Sequence, residues 1–215
     1  TELLRDGTVS IPTPAGTVDV HGIADRLDTH PTEDTFSVVD YKTGSVPSKI
    51  DVKRGTKLQL PLYGLAFESV LDSKTGTSPE AVAGSYYELS DPSSVDSDST
   101  FVSSREAQYD GDTPLVAGGG RPLFDTRTEF SRFIRDVTAT RLGRIATSID
   151  DGFFEPTLLD ENHANCEQCS FKHVCDVRNH HRRETIDTID DGTHYVSERA
   201  RDVDLDLGAY SGGDD

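Results

Sequence analysis

At 215 residues, with 33% hydrophobic residues and a formal net charge of −18, the chain is long enough for one α/β domain with a sizeable core, yet poor in apolar material. The balance of 39 Asp and Glu against 21 Lys and Arg argues against a ligand drawn in by long-range attraction to phosphate, except in molar salt, where that attraction is screened within about 3 Å and close contacts decide binding. Asp spread along the chain, scarce Lys, and the absence of Met and Trp fit that exception, a halophilic protein kept soluble by surface carboxylates. Nothing reads as a signal peptide, and no apolar run approaches the roughly 20 residues that cross a bilayer, so a cytoplasmic protein without membrane contact is expected. The chain opens at Thr1 inside what reads as an element, as the C-terminal part of a larger protein would.

Residues 18–27 alternate well enough for a strand with Gly22 in its middle, and residues 36–41 form a second β-rich run. Residues 30–35, with Pro31, Glu33 and Asp34, supply a turn, so an antiparallel hairpin is expected. Over residues 56–71 the apolar side chains Leu58, Leu62, Leu65, Ala66 and Val70 recur at helical spacing, with Pro61 early enough to be tolerated in a first turn. Residues 81–89 are a third strand candidate. Residues 91–121, rich in Ser, Asp, Gly and Pro, read as a partly disordered surface excursion. A long helix over residues 126–149 follows, with Phe130, Phe133, Ile134, Val137, Leu142 and Ile145 as its buried stripe.

The chemistry concentrates in Gly22-Ile23-Ala24-Asp25-Arg26-Leu27-Asp28, a turn, and Val38-Val39-Asp40-Tyr41-Lys42-Thr43-Gly44. Asp40 and Lys42, two apart on a strand, leave the same face, and Asp25 on the partner strand can converge with them. Two carboxylates suit a hard divalent cation such as Mg²⁺ or Mn²⁺. Such a cation polarises a phosphoryl oxygen, while Lys42 orients water or steadies developing charge. Most isolated Asp-x-Lys triplets are solvated surface; the preceding Val38-Val39 run and the Gly-x-x-Asp-Arg-x-Asp segment favour a hydrolytic phosphodiester site.

These paired segments resemble the PD-(D/E)XK nuclease superfamily, and within it the branch of RecB and AddB nuclease domains and the CRISPR-associated single-strand exonucleases. Leu58-Gln59-Leu60-Pro61-Leu62-Tyr63 is similar to that branch's downstream Gln-x-x-x-Tyr motif. The resemblance implies a restriction-endonuclease-like α/β core, a mixed central β-sheet flanked by helices, followed by a Cys-containing segment. It implies that Asp25, Asp40 and the Tyr41 carbonyl bind metal, that Lys42 is the catalytic lysine, and that Gln59 and Tyr63 bind or position DNA. The branch also supplies a His, and often a Glu, upstream of the first Asp; Glu2 and His21 are weak counterparts, a lone His on a strand being more often packing than ligand.

The 3 cysteines all lie in a C-x2-C-x5-C array, Cys166, Cys169 and Cys175. In a cytosolic chain such clustering points to a metal rather than to disulfides. By the resemblance they are three ligands of a [4Fe-4S] cluster whose fourth cysteine this chain lacks. Zn²⁺ completed by His163, His173 or His180, or plain thiols, remain alternatives. Arg182 and Arg183, in a basic patch with Arg178, His180 and His181, are candidates for holding the DNA backbone or for pairing with nearby carboxylates. The expected organisation is a nuclease domain over residues 1–183, including the excursion at 91–121 and the Cys-containing segment at 164–183, then an acidic mobile tail at 184–215. The expected activity is a metal-dependent DNA nuclease, directed at single strands or ends, in repair or recombination, with a helicase domain or subunit as the suggested partner. A catalytically silent DNA-binding or scaffold subunit is the alternative, and the intact Asp25, Asp40 and Lys42 argue against it. A zinc-binding interaction module leaves the Asp-x-Lys strand unexplained.

Overall fold

The computed structural model describes residues 7–30, 32–44, 46–55, 57–89, 101–103, 122–153 and 170. Two compact units divide the chain, Thr1–Thr140 and Arg141–Asp215. In the first, strands β1 (Val9–Thr13) and β2 (Gly16–Val20) form an antiparallel hairpin. Strands β3 (Arg26–Thr29), β4 (Thr35–Lys42), β5 (Glu80–Glu88) and β6 (Phe101–Ser103) make a mixed sheet in the order β3-β4-β5-β6. β3 and β4 pair antiparallel, β4 and β5 parallel, and β5 and β6 antiparallel. Helices α1 (Lys49–Arg54) and α2 (Gln59–Thr75) make the crossover from β4 to β5.

The β3–β4 hairpin forms where the sequence predicts it. Its turn is braced by His30, whose Nδ1 lies 3.1 Å from the Glu33 amide. From Thr35 to Asp40 every residue of β4 is buried, which explains the unbroken Val38-Val39 pair: a strand covered on both faces selects apolar side chains at consecutive positions. β5 likewise places Ala81, Val82, Ala83 and Tyr86 in the core.

The expected strand over residues 18–27 is instead two strands that belong to different sheets. Residues 21–25 leave the ladder between them. The cause is a tertiary contact: a Cβ on Gly22 would lie 3.2 Å from the Tyr63 ring, and the Tyr63 hydroxyl donates to the Ile23 carbonyl at 2.7 Å. These contacts fix the segment against α2.

Helix α2 starts at Gln59 with Pro61 in its first turn, as expected, and ends at Gly76 in the left-handed conformation. Its buried face differs from the expected stripe. Leu60, Pro61, Gly64, Ala66 and Phe67 are buried, whereas Leu58, Leu62, Leu65 and Val70 are half-buried. Residues 60–67 of the helix are apolar nearly all round, so periodicity alone could not choose its inner face. Contact geometry chooses it: Phe67 meets Phe36 edge to face at 6.4 Å, and a Cβ on Gly84 of β5 would lie only 3.3 Å from that of Leu60. This close approach holds the first turn of α2 against β5.

The expected helix over residues 126–149 begins with a capping box, Thr126 Oγ1 accepting from the Glu129 amide at 3.1 Å and Glu129 Oε2 from the Thr126 amide at 3.2 Å. It then runs as α3 (Arg127–Arg132), a π-helical turn (Phe133–Val137) and α4 (Thr138–Asp150). The Thr138 hydroxyl donates to the Phe133 carbonyl at 3.0 Å inside the π turn. Phe130, Phe133, Ile134, Val137 and Leu142 are buried, and Ile145 is half-buried. Glu68 ties the first unit together, accepting from the Ala81 amide at 3.0 Å and pairing with Arg135 at 2.8 Å. In the second unit α4 ends at Gly152, also left-handed, with the Phe153 amide donating to the Ser148 carbonyl at 2.8 Å.

Within the excursion predicted over residues 91–121, residues 101–103 form β6; the rest of it lies outside the described residues, as do Glu2, the three cysteines, Arg182, Arg183 and the acidic tail. Among the described residues, no helix is long and apolar enough to cross a membrane.

Candidate active site

The site lies at the C-terminal end of β4, where ligands of parallel strands collect. Asp40 is 4% exposed and stands opposite Tyr86 of β5. Arg26 pairs with Val39, so the preceding residue, Asp25, falls opposite Asp40 at the mouth of the hairpin. Asp25 itself is exposed and lies in the bend before β3. It is fixed by its Oδ2, which accepts from the Tyr41 amide at 2.8 Å. The broken strand thus serves the site: the Gly22–Tyr63 contact sets the path by which Asp25 reaches β4.

Asp40 and Lys42 share a face, as alternation requires. Lys42 Nζ stands 2.7 Å from Asp40 Oδ2, but Oδ2 is buried and accepts no hydrogen bond. The short contact is therefore an ion pair with poor hydrogen-bond alignment, and the oxygen keeps lone pairs to offer.

Gln59 and Tyr63, one turn apart on α2, do face the same side. Both direct their hydrogen bonds at the protein. Gln59 Nε2 donates to Asp40 Oδ1 at 2.9 Å and to the Tyr63 hydroxyl at 3.3 Å, while Gln59 Oε1 accepts from Lys42 Nζ at 2.8 Å. One amide thus holds the carboxylate with its donor end and the ammonium with its acceptor end, and the chain Lys42–Gln59–Tyr63–Ile23 links β4, α2 and the segment leading to Asp25.

Tyr86 is a site residue the sequence reading missed. Its ring is 1% exposed and lies beneath Lys42, with Nζ 5.3 Å from the ring centroid. Burial, reinforced by the Asp40 charge, pushes its phenol up to about 12, against a backbone hydrogen bond with Leu60 that acts the other way. The only signal available was the parallel register of β4 and β5, which no local pattern reveals. On the opposite face of the sheet, Arg26 donates to Asp28 at 2.7 Å and to the Tyr41 hydroxyl at 3.4 Å, and these bonds raise its pKa further above the ordinary guanidinium value. His21 is exposed.

A mixed sheet flanked by helices, with two carboxylates and an ammonium gathered at the end of its central parallel strand, is a restriction-endonuclease-like core. The sequence profile of the PD-(D/E)XK nuclease superfamily matches residues 2–176, and the chain belongs to that superfamily. No curated protein matches the chain.

Nucleases of this superfamily generally use a divalent metal such as Mg²⁺, and the donor set fits one. The buried Asp40 Oδ2 has no hydrogen-bond donor, and Asp25 presents a second carboxylate at the surface. Among the described residues no group of three or more His, Cys, Asp and Glu gathers to hold a metal. A pair of carboxylates completed by a carbonyl and waters suits Mg²⁺, which keeps much of its hydration shell, better than a closed tetrahedral Zn²⁺ site.

Proposed function

We propose that this chain is a divalent-metal-dependent deoxyribonuclease of the RecB/AddB-like branch, directed at single strands or DNA ends in repair or recombination beside a helicase domain or subunit, in a haloarchaeal source. The observation that carries the reading is the Gln59 amide, which holds a buried carboxylate and its paired ammonium side by side next to Asp25, with Asp40 Oδ2 outside any hydrogen bond. Asp25, Asp40 and the Tyr41 carbonyl would hold Mg²⁺ or Mn²⁺. Bound there, the cation supplies Lewis acidity and a more acidic water.

The chain's own residues do the remaining work. An ammonium carries three N–H donors; Lys42 gives one to Gln59 and has others for a phosphoryl oxygen or the attacking water. Gln59 fixes the relative placement of Lys42 and Asp40 by bonding to both, and the Tyr86 face supports the ammonium from below. Gln59 and Tyr63 act as positioning residues, and Arg182 and Arg183 hold the DNA backbone. Cys166, Cys169 and Cys175 supply three ligands of a [4Fe-4S] cluster; visible absorbance in anaerobically purified protein tests this, and a colourless protein with stoichiometric Zn²⁺ overturns it. The nuclease domain covers residues 1–183, followed by an acidic tail at 184–215.

The deciding experiment is degradation of end-labelled single-stranded DNA with Mg²⁺ or Mn²⁺ in concentrated salt. Asp40→Ala and Lys42→Ala are expected to lower the rate by about 100-fold or more, the scale seen when a group that stabilises developing charge is removed. Equal rates in wild type and both variants would overturn the assignment.

A further inference from the structure

Among the described residues the large apolar side chains most exposed to solvent are Ile23 at 53%, Tyr41 at 38%, Leu89 at 57% and Ile149 at 58%. The first three adjoin the site. Ile23 lies two positions before Asp25, and its carbonyl is held by Tyr63. Tyr41 stands between Asp40 and Lys42, and its amide holds Asp25. Leu89 donates its amide to the Lys42 carbonyl at 2.7 Å. Scattered exposed apolar residues need no explanation, but a group drawn around one polar site does.

Tyr41 is also supported from two directions. Its register partner on β5 is Tyr87, whose ring lies 6.0 Å away at an interplanar angle of 57°. Arg26, which shares the face of Val39 and Tyr41, reaches the Tyr41 hydroxyl while its own Nε is anchored by Asp28. The ring is therefore held on an edge and backed by a second aromatic, with much of its surface left to solvent.

We propose that Tyr41, backed by Tyr87 and pinned by Arg26, is a stacking subsite for an unpaired nucleobase that flanks the phosphate held at Asp25, Asp40 and Lys42. The proposal rests on the nuclease reading and specifies how such a substrate is gripped. Successive residues of β4 point to opposite faces, so a strand crossing the end of the sheet meets the phosphate site on one face and an aromatic platform on the other. A duplex keeps its bases inside and offers no face to such a ring; a single strand does. Charge favours the same occupant. A chain with net charge −18 gains little from counterion release, and stacking on an aromatic face is an attraction that concentrated salt does not screen away.

The test is a coupling measurement on the full chain, with Ca²⁺ replacing Mg²⁺ to allow binding without turnover. Fluorescein-labelled oligothymidylate and a strand of the same length with abasic residues are titrated by anisotropy against wild type, Tyr41→Leu, Tyr41→Phe and Tyr87→Leu. Wild type should prefer the strand with bases by about tenfold, the scale of one lost stacking contact. Tyr41→Leu should bind both strands alike, Tyr87→Leu should retain part of the preference, and Tyr41→Phe should stay near wild type. Thermal melts identify a misfolded variant, and Tyr87→Leu carries the test if Tyr41→Leu does not fold. An undiminished preference for bases in the folded leucine variants overturns the subsite while leaving the nuclease reading intact. Wild type that neither binds nor cuts DNA overturns both.

Discussion

Replacing Gln59 with leucine keeps the bulk and helix propensity of the first turn of α2 and deletes both ends of the amide. The donors to Asp40 Oδ1 at 2.9 Å and Tyr63 at 3.3 Å and the acceptor for Lys42 at 2.8 Å are lost together. Hydrogen bonds to charged groups contribute roughly 1.5–3 kcal/mol each, so the two charged contacts set a ceiling of about 3–6 kcal/mol. Lys42 still stands 2.7 Å from Asp40, and Gln59 is half-buried, so water recovers part of the loss and about 2–4 kcal/mol is expected. Urea denaturation reads this as a lower midpoint with an unaltered slope. In turnover, a carboxylate and an ammonium released from a common support lose their relative placement, and misplacement of about 1 Å can cost about 100-fold. The expected pattern is a fall in kcat with little change in DNA affinity. Weaker DNA binding with unaltered kcat and stability would refute the positioning role and return Gln59 to direct contact with DNA.

Gly22→Ala puts a methyl against the Tyr63 ring at 3.2 Å, and the displaced ring should give up the Ile23 carbonyl; a loss of about 1–3 kcal/mol is expected in thermal or urea melts, with activity falling alongside. Glu68→Ala strips the partner from Arg135 and from the Ala81 amide, which should cost about 2–3 kcal/mol in urea; a loss below experimental error would show that water replaces both contacts. Alkaline stability should report on Tyr86. Its phenol, raised to about 12 in the folded chain, keeps a proton that an unfolded phenol gives up near pH 10, so its contribution is full below about pH 10 and is lost as pH rises towards about 12, by roughly 2–3 kcal/mol. Tyr86→Phe should flatten the stability profile in that window, and an unchanged slope would count against the buried phenol.

The sequence made the β3–β4 hairpin readable because its signals are local: a turn rich in Pro, Glu and Asp between two β-rich runs, and two-residue alternation that aligns Asp40 with Lys42. Asp25 was legible as a partner of Asp40 only through that hairpin. What escaped depends on contacts between distant segments. The break at residues 21–25 comes from Tyr63 on α2, Tyr86 enters through a parallel register, and the inner face of α2 is chosen by its fit against Phe36 and Gly84. The β1–β2 hairpin was missed although Val9, Ile11, Val18 and Val20 alternate, because Pro12 weakens a strand reading; Pro12 pairs with Thr17 on a two-stranded hairpin, where edge positions tolerate the missing donor. The π turn at Phe133–Val137 has no helical-period signature to read.

The crossover between β4 and β5 has a consequence for how such an enzyme comes into being. Asp40, Gln59 and Tyr86 lie on β4, the second helix after it and β5, and the β4–β5 ladder that brings them into line is a non-local pairing, a kind that forms slowly because a long loop must close first. The β3–β4 hairpin can form early and bring Asp25 towards Asp40, yet at that stage the carboxylate has no amide holding it and the lysine has no aromatic floor. The proposed site is complete only once the β4–β5 pairing has formed.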